Sequence, residues 1–141
     1  MQSKIPGLLP ARETEPQAPS IASAATDKVV LKAGFEDIYF DFDRWAIPKP
    51  MQARLSDHAQ WLQAHPGSAV LIEGHCDIRG SREYNMVLGE KRARSVKGFL
   101  LDLGVKEDQL SMISYGKERL TCFESREACH GDNRRAHFVM R

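Results

Sequence analysis

No stretch of the 141-residue sequence stays apolar for the roughly 18 to 20 residues that a membrane-spanning helix needs. The first residues, MQSKIPGLLPARETEPQ, also lack the apolar core of a secretory signal. The sequence therefore carries no address of its own. Either the protein is cytoplasmic, or it has lost a signal and an anchor, and the motifs described below favour the second reading. An excess of one charge is missing too, since 20 Lys+Arg face 19 Asp+Glu and the formal net charge is +1. A general nucleic-acid binder would show a basic excess or stripe, so no nucleic acid is expected as a partner. An anionic ligand would have to be held by particular residues.

Catalytic groupings are equally scarce. No serine or cysteine nucleophile stands in a recognisable arrangement of the kind acyl transfer requires. His75, Cys76 and Asp77 are adjacent on an extended chain, where neighbours point to alternate faces, so they form no relay. There are only three cysteines, Cys76, Cys122 and Cys129, which allows at most one internal bridge. Cys122 and Cys129 lie close together in a loop-like stretch and are the natural pair for a disulfide, which implies an oxidising compartment. Cys122, Cys129 and His130 do not match the common zinc spacings. Neither a metal nor a cofactor is expected.

What is present is an ordinary globular composition, 42% hydrophobic and 28% charged, enough for one domain. Residues 1–33 are rich in Pro, Ala and Ser without periodicity and are expected to be a disordered tether. Residues 34–141 carry the domain. Phe35 to Phe42 alternates and predicts a strand. A helix should start at Pro48 and Pro50, run through Leu55, Ala59 and Leu62, and stop at His65-Pro66-Gly67. Ala69 to Ile72 predicts a strand, and Gly74 to Gly80 a polar loop. Ser81 caps a second helix that runs to Leu103 and ends at Gly104, with small residues such as Gly89 and Ala93 where it nears the sheet. Leu110 to Tyr115 and Arg135 to Met140 predict two more strands, separated by a long polar connection. The fold class is α/β, a β-α-β-α-β-(loop)-β sandwich with two main helices on a four-stranded mixed sheet. His58 and His65 are expected to face solvent, and His137 the polar face of the sheet. Trp45 and Trp61 read as packing residues, with Trp45 able to reach the rim of the site described next. Arg134 and Arg135 could bind phosphate, but read rather as salt-bridge partners of Asp41 or Asp37 on the opening strand.

The most informative run is IEGHCDIRGSREYNMVLGEKRARSV, Ile72 to Val96. Asp77 falls in the loop. Asn85 and Arg92 are two turns apart on one helix face. Together Asp77 and Arg92 could hold a zwitterion, the acid taking an ammonium and the guanidinium a carboxylate. On spacing alone, such a pair is more often a salt bridge or a loop brace.

These residues carry a resemblance. Gly74-His75-Cys76-Asp77-Ile78-Arg79-Gly80, then Tyr84-Asn85, Leu88 and Arg92-Ala93, resemble the signature of the OmpA-like peptidoglycan-binding family. The opening Tyr39-Phe40-Asp41-Phe42-Asp43, the run Ser114-Tyr115-Gly116 and the closing Asn133-Arg134-Arg135 extend it over residues 35–141. Within the family these runs are most similar to the lipoprotein branch. The resemblance implies a non-catalytic module that binds peptidoglycan through the diaminopimelate of its stem peptide. Asp77 and Arg92 would form the clamp, Asn85 would support it, and Asp43, Arg79 and Phe42 would line the pocket. It further implies a periplasmic location, an outer-membrane anchor, and Tol-system proteins as possible partners. Cys76 stands where the family usually has Thr. A flagellar stator domain, or a cell-wall hydrolase or amidase, is the alternative. Substituting Asp77 or Arg92 by Ala is expected to abolish binding and leave the fold intact.

Overall fold

The computed structural model describes residues 35–141, and the tether expected over residues 1–33 lies outside them. The elements are β1 (Ile38–Tyr39), α1 (Lys49–Ala64), β2 (Val70–His75), α2 (Arg82–Asp102), β3 (Leu110–Gly116), α3 (Glu127–Asn133) and β4 (Arg135–Met140), with a 3-10 turn at Glu107–Gln109. The sheet order is β1-β4-β2-β3. β4 is antiparallel to both β1 and β2, while β2 and β3 are parallel. A parallel pair needs a long crossover, and α2 supplies it. α1 and α2 touch each other and the sheet. The core between the layers holds Leu55, Leu62, Val70, Ile72, Val96 and Leu100, all with essentially no exposed surface.

Both long helices begin and end as their sequences dictate. Pro48 and Pro50 open α1, and His65-Pro66 closes it. The Ser81 hydroxyl caps α2 by accepting from the Tyr84 N–H at 3.0 Å. At its far end Gly104, at φ +103°, lets Val105 N–H reach the Leu100 carbonyl and Gly104 N–H the Leu101 carbonyl. That is a Schellman closure, and Val105 is buried beside it. Gly74 and Gly89 permit α2 to lie directly on β2. A Cβ on Gly74 would come within 1.8 Å of the Gly89 carbonyl oxygen. Only two glycines allow this backbone contact, and it fixes α2 over the end of β2, where the functional loop begins.

Three local expectations need correction. β1 is two residues long, not eight. Phe40 still donates to the Arg134 carbonyl at 3.0 Å, but its own carbonyl accepts from the Arg134 Nε at 2.8 Å, and Asp43 turns the chain at φ 57°. A side chain thus takes the place of a strand partner. β2 runs on to His75, so Gly74 and His75 are strand residues rather than loop. The connection after β3 contains α3, which sequence periodicity could not reveal in seven residues that include Gly, Asp and Asn. Long-range contacts order it. The Asn133 side chain accepts from the N–H groups of Thr121 and Cys122 at 2.7 and 3.2 Å and donates to the Cys122 carbonyl at 2.8 Å.

His58 is the fourth correction, for it is buried rather than solvent-facing. It lies between Leu55 and Leu62 on the apolar face of α1, with Nε2 2.9 Å from the Glu36 carbonyl and its ring edge-on to Phe138 at 4.8 Å. Burial pushes its pKa down to about 4. The unfolded chain then binds a proton near pH 6.5 that the folded protein refuses until about pH 4. Stability should therefore fall as pH drops through this window, by about 3 kcal/mol if His58 acts alone. Denaturant midpoints at pH 7 and pH 4.5 should show this loss, and His58→Phe should flatten it. An unchanged slope in the variant would assign the acid sensitivity elsewhere. His137 has the opposite sign: its hydrogen bond with Asp37 at 2.7 Å raises its pKa, so its contribution is present at low pH and lost as pH rises.

Candidate functional site: a pocket between the loop after β2 and α2

The end of β2, the turn after β1 and the first half of α2 enclose a cavity of about 230 Å³. Phe42, Asp43, Asp77, Arg79, Asn85 and Arg92 all line it, so the structure brings together every site residue expected from the sequence. Four more side chains or backbones share the wall: Cys76, Gly80, Tyr84 and Leu88.

The loop that carries Asp77 is pinned from several sides. Cys76 N–H donates to the Gly116 carbonyl at 2.8 Å. The Lys117 ammonium reaches the carbonyls of Ile78 and Gly80 at 3.3 and 2.5 Å. The Asn85 amide donates to the carbonyls of Arg79 and Ser81 at 2.8 and 2.9 Å. Both amide N–H groups are thereby used on the loop, and only the side-chain oxygen of Asn85 could serve a ligand. The Ser114 hydroxyl ties β3 to α2 by donating to the Met86 carbonyl at 2.7 Å. The run Ser114 to Lys117 thus acts as a buttress for the loop.

Arg92 is wholly buried. Its Nε donates to the Arg44 carbonyl at 2.7 Å, and its terminal nitrogens donate to the carbonyls of His75 and Asp41 at 3.1 Å each. A guanidinium has five N–H groups, so at most two, on the terminal nitrogens, remain for the pocket. Its charge also lies over the Phe40 ring, 5.3 Å from the centroid. Burial lowers the Arg92 pKa from its very high ordinary value, and a guanidinium so displaced is still a cation at neutral pH.

Asp77 is 4% exposed and does not pair with Arg92. Arg79 holds it instead. The Arg79 Nε and backbone N–H donate to one carboxylate oxygen at 3.1 and 3.0 Å, and a terminal nitrogen donates to the other at 2.7 Å. The Arg79 guanidinium also stacks 4.2 Å from the Phe42 centroid. Burial alone would raise the Asp77 carboxyl, but the hydrogen bonds and charge of Arg79 outweigh it and hold the pKa below the usual range. A nitrogen of Arg134 lies 3.5 Å from the same carboxylate. Arg134 does not form the expected ion pair with Asp41 or Asp37: its Nε donates to the Phe40 carbonyl and its terminal nitrogens face Asp77 and Glu127, while Arg135 does pair with Asp37 at 3.5 Å. The reason is positional: α3 ends at Asn133, and Arg134 turns inward before β4 begins. Its presence beside Asp77 has no signal in sequence spacing, since 57 residues separate the two.

Tyr84 belongs to the motif that carries the family resemblance but is given no place in the site by the sequence. It donates its hydroxyl to the Asp43 carboxylate and closes one wall. Trp45, expected to pack, is instead 43% exposed and lies under the Lys91 ammonium, 4.2 Å from the ring centroid, so it is a surface residue. Trp61 stacks on His65 at 3.7 Å.

Cys122 and Cys129 form a disulfide, with Cα atoms 5.4 Å apart, and Cys76 is a buried free thiol. The Cys76 thiol donates to the Asn85 carbonyl at 3.3 Å, and burial pushes its pKa up to about 11. Thiol labelling of the native protein at pH 8 should therefore modify Cys76 only slowly and the other two not at all. Three thiols labelled at once would contradict both assignments. Among the described residues, no group of three or more His, Cys, Asp and Glu side chains is arranged to hold a metal ion.

The sequence model of the OmpA family matches residues 39–134, which include the whole pocket. The chain is 44% identical over 103 residues to the peptidoglycan-associated lipoprotein of Brucella melitensis, an alignment covering 73% of this chain and 61% of that protein. It is 41% identical over 106 residues to the protein of that name from Haemophilus influenzae, covering 75% and 69%. The crystal structure of the peptidoglycan-associated lipoprotein from Burkholderia pseudomallei superposes with a TM-score of 0.73 at 43% identity, covering 74% of this chain and 89% of that one. The C-terminal domain of Helicobacter pylori MotB superposes at 0.70 but is 22% identical, which speaks for the fold alone. The chain thus spans about three-fifths of the length of the Brucella relative. A family match across most of the described domain, with relatives above 40% identity, establishes that this chain belongs to the OmpA family.

Proposed function

We propose that this domain is a non-catalytic module that binds peptidoglycan and helps tether the outer membrane to the cell wall. One observation supports this most: a carboxylate and a guanidinium, Asp77 and Arg92, border the same 230 Å³ cavity in a member of this family. In this reading the ligand is the zwitterionic end of diaminopimelate in the stem peptide. Asp77 takes the ammonium and Arg92 the carboxylate, each through charge-assisted bonds. Asn85 holds the loop, and Phe42, Asp43 and Arg79 form the pocket's mouth. In this reading the location is the periplasm, with the domain anchored to the outer membrane, and Tol-system proteins are further partners. The disulfide is at home in such an oxidising compartment.

The test is a pull-down on purified sacculi, followed by chromatography of the supernatant. The protein should sediment with diaminopimelate-containing sacculi and release no soluble muropeptide. Failure to sediment would refute the binding reading, and released muropeptides would favour a hydrolase.

A further inference from the structure

Both proposed clamp residues are closed off here. Asp77 is 4% exposed and Arg92 not at all, whereas the side chains beside them, Arg79 and Phe42, are 39% and 54% exposed. The Arg79 guanidinium gives Asp77 two side-chain hydrogen bonds, one to each carboxylate oxygen, and covers it from the solvent side. This is the chemistry a bound ammonium would supply. Arg79 is itself held on its other side by the Phe42 ring at 4.2 Å. Glu127 lies 3.8 Å from it and offers an alternative partner outside the pocket.

We infer that Arg79 is a built-in competitor, a cation of the protein itself that occupies the ammonium seat on Asp77 and must swing away before a ligand enters. This rests on the proposed reading of the pocket. The exchange explains how an exposed site could select its ligand. A cation that satisfies both oxygens of Asp77 can replace Arg79, whereas a ligand with a carboxylate but no ammonium leaves Arg79 in place on Asp77. Glu127 can receive the released guanidinium, which limits the loss on opening. The backbone N–H of Arg79 also donates to Asp77, at 3.0 Å, a bond that does not depend on where the guanidinium sits. Arg134, 3.5 Å from the carboxylate and fixed to the Phe40 carbonyl and Glu127, is held on two further partners and stays beside Asp77 while the exchange occurs.

The prediction runs against the ordinary expectation for a pocket-lining arginine. If the open form is a minor state, removing the competitor raises apparent affinity by the inverse of that fraction, about tenfold for an open form near one part in ten. Calorimetric titration of the intact protein with a soluble diaminopimelate-containing tripeptide should show Arg79→Ala binding about tenfold tighter than wild type, and Arg79→Lys, which keeps the charge but loses the two-point hold on Asp77, falling between the two. Equal or weaker binding by Arg79→Ala overturns the inference. A second readout needs no variant. The Arg79 Nε–H resonance in the wild-type protein should shift on saturation with the tripeptide, and a resonance that stays unmoved overturns the inference as well. Asp77→Asn is the control that separates the two ideas: if it binds as wild type does, the reading of the pocket has failed, whereas if it loses binding while Arg79→Ala fails to gain, only the competitor is wrong.

Discussion

Arg92→Ala should both abolish ligand binding and lower the stability of the domain by about 3 kcal/mol, since it strands buried carbonyl groups whose desolvation is uncompensated. This revises the expectation that the substitution would spare the fold. From the sequence, Arg92 is a helix residue whose face is set by Asn85. In the folded protein its guanidinium ties two separate segments to α2, through the carbonyls of Asp41 and Arg44 on one and of His75 on the other. Those carbonyls come from the turn after β1 and the end of β2, which are the two walls of the pocket. Water entering the vacated space would recover part of the loss. For a domain of this size about 3 kcal/mol corresponds to a melting temperature lower by about 10 °C or more. Arg92→Lys should keep the charge but not the three-way geometry, and should fall between wild type and Ala in melting temperature. A variant Arg92→Ala as stable as wild type in thermal denaturation would show that the bracing is dispensable.

Asp77→Asn should leave the fold in place and reduce binding of the diaminopimelate ligand by about ten- to hundredfold, the worth of one charge-assisted interaction. Asn keeps the shape and an acceptor oxygen, so the loop retains the bond from the Arg79 N–H. The negative partner of the ammonium is what disappears. Two cations that line the pocket, Arg79 and Arg92, and a third beside position 77, Arg134, are then left with one acid fewer, and the ligand's ammonium meets repulsion. Wild-type affinity in Asp77→Asn, measured with the same tripeptide, would remove Asp77 from the site.

How much of this was legible beforehand follows from the range of the forces involved. α1 and α2 were legible because their stops are local: Pro66, the Ser81 cap and the Gly104 closure act within a few residues. The meeting of Asp77, Asn85 and Arg92 in one cavity was foreseen from spacing and family resemblance, since one loop and one helix carry all three. His58 could have been assigned to the core, because it stands three residues after Leu55 and four before Leu62 on the helix face that both define. β1 was overextended because an alternating pattern does not say whether a partner strand exists opposite it. Its partner begins only at Arg135, and the Arg134 side chain takes over from there. α3 and Arg134 depend on chain segments far apart in sequence, so periodicity carried no trace of them. The closed state of the clamp was hidden for a different reason. Sequence identifies which charges meet, but whether Asp77 faces Arg79, Arg92 or a ligand is decided by competition among three neighbouring cations.

The central claim is that the pocket recognises a zwitterionic side-chain end. Calorimetric titration of the wild-type protein with two soluble stem peptides, identical except for diaminopimelate or lysine at the third position, tests it most directly. Lysine supplies the ammonium for Asp77 but no second carboxylate for Arg92. The diaminopimelate peptide should bind at least about tenfold more tightly, because the missing partner leaves a buried cation unanswered. Equal affinity for the two peptides would contradict the account.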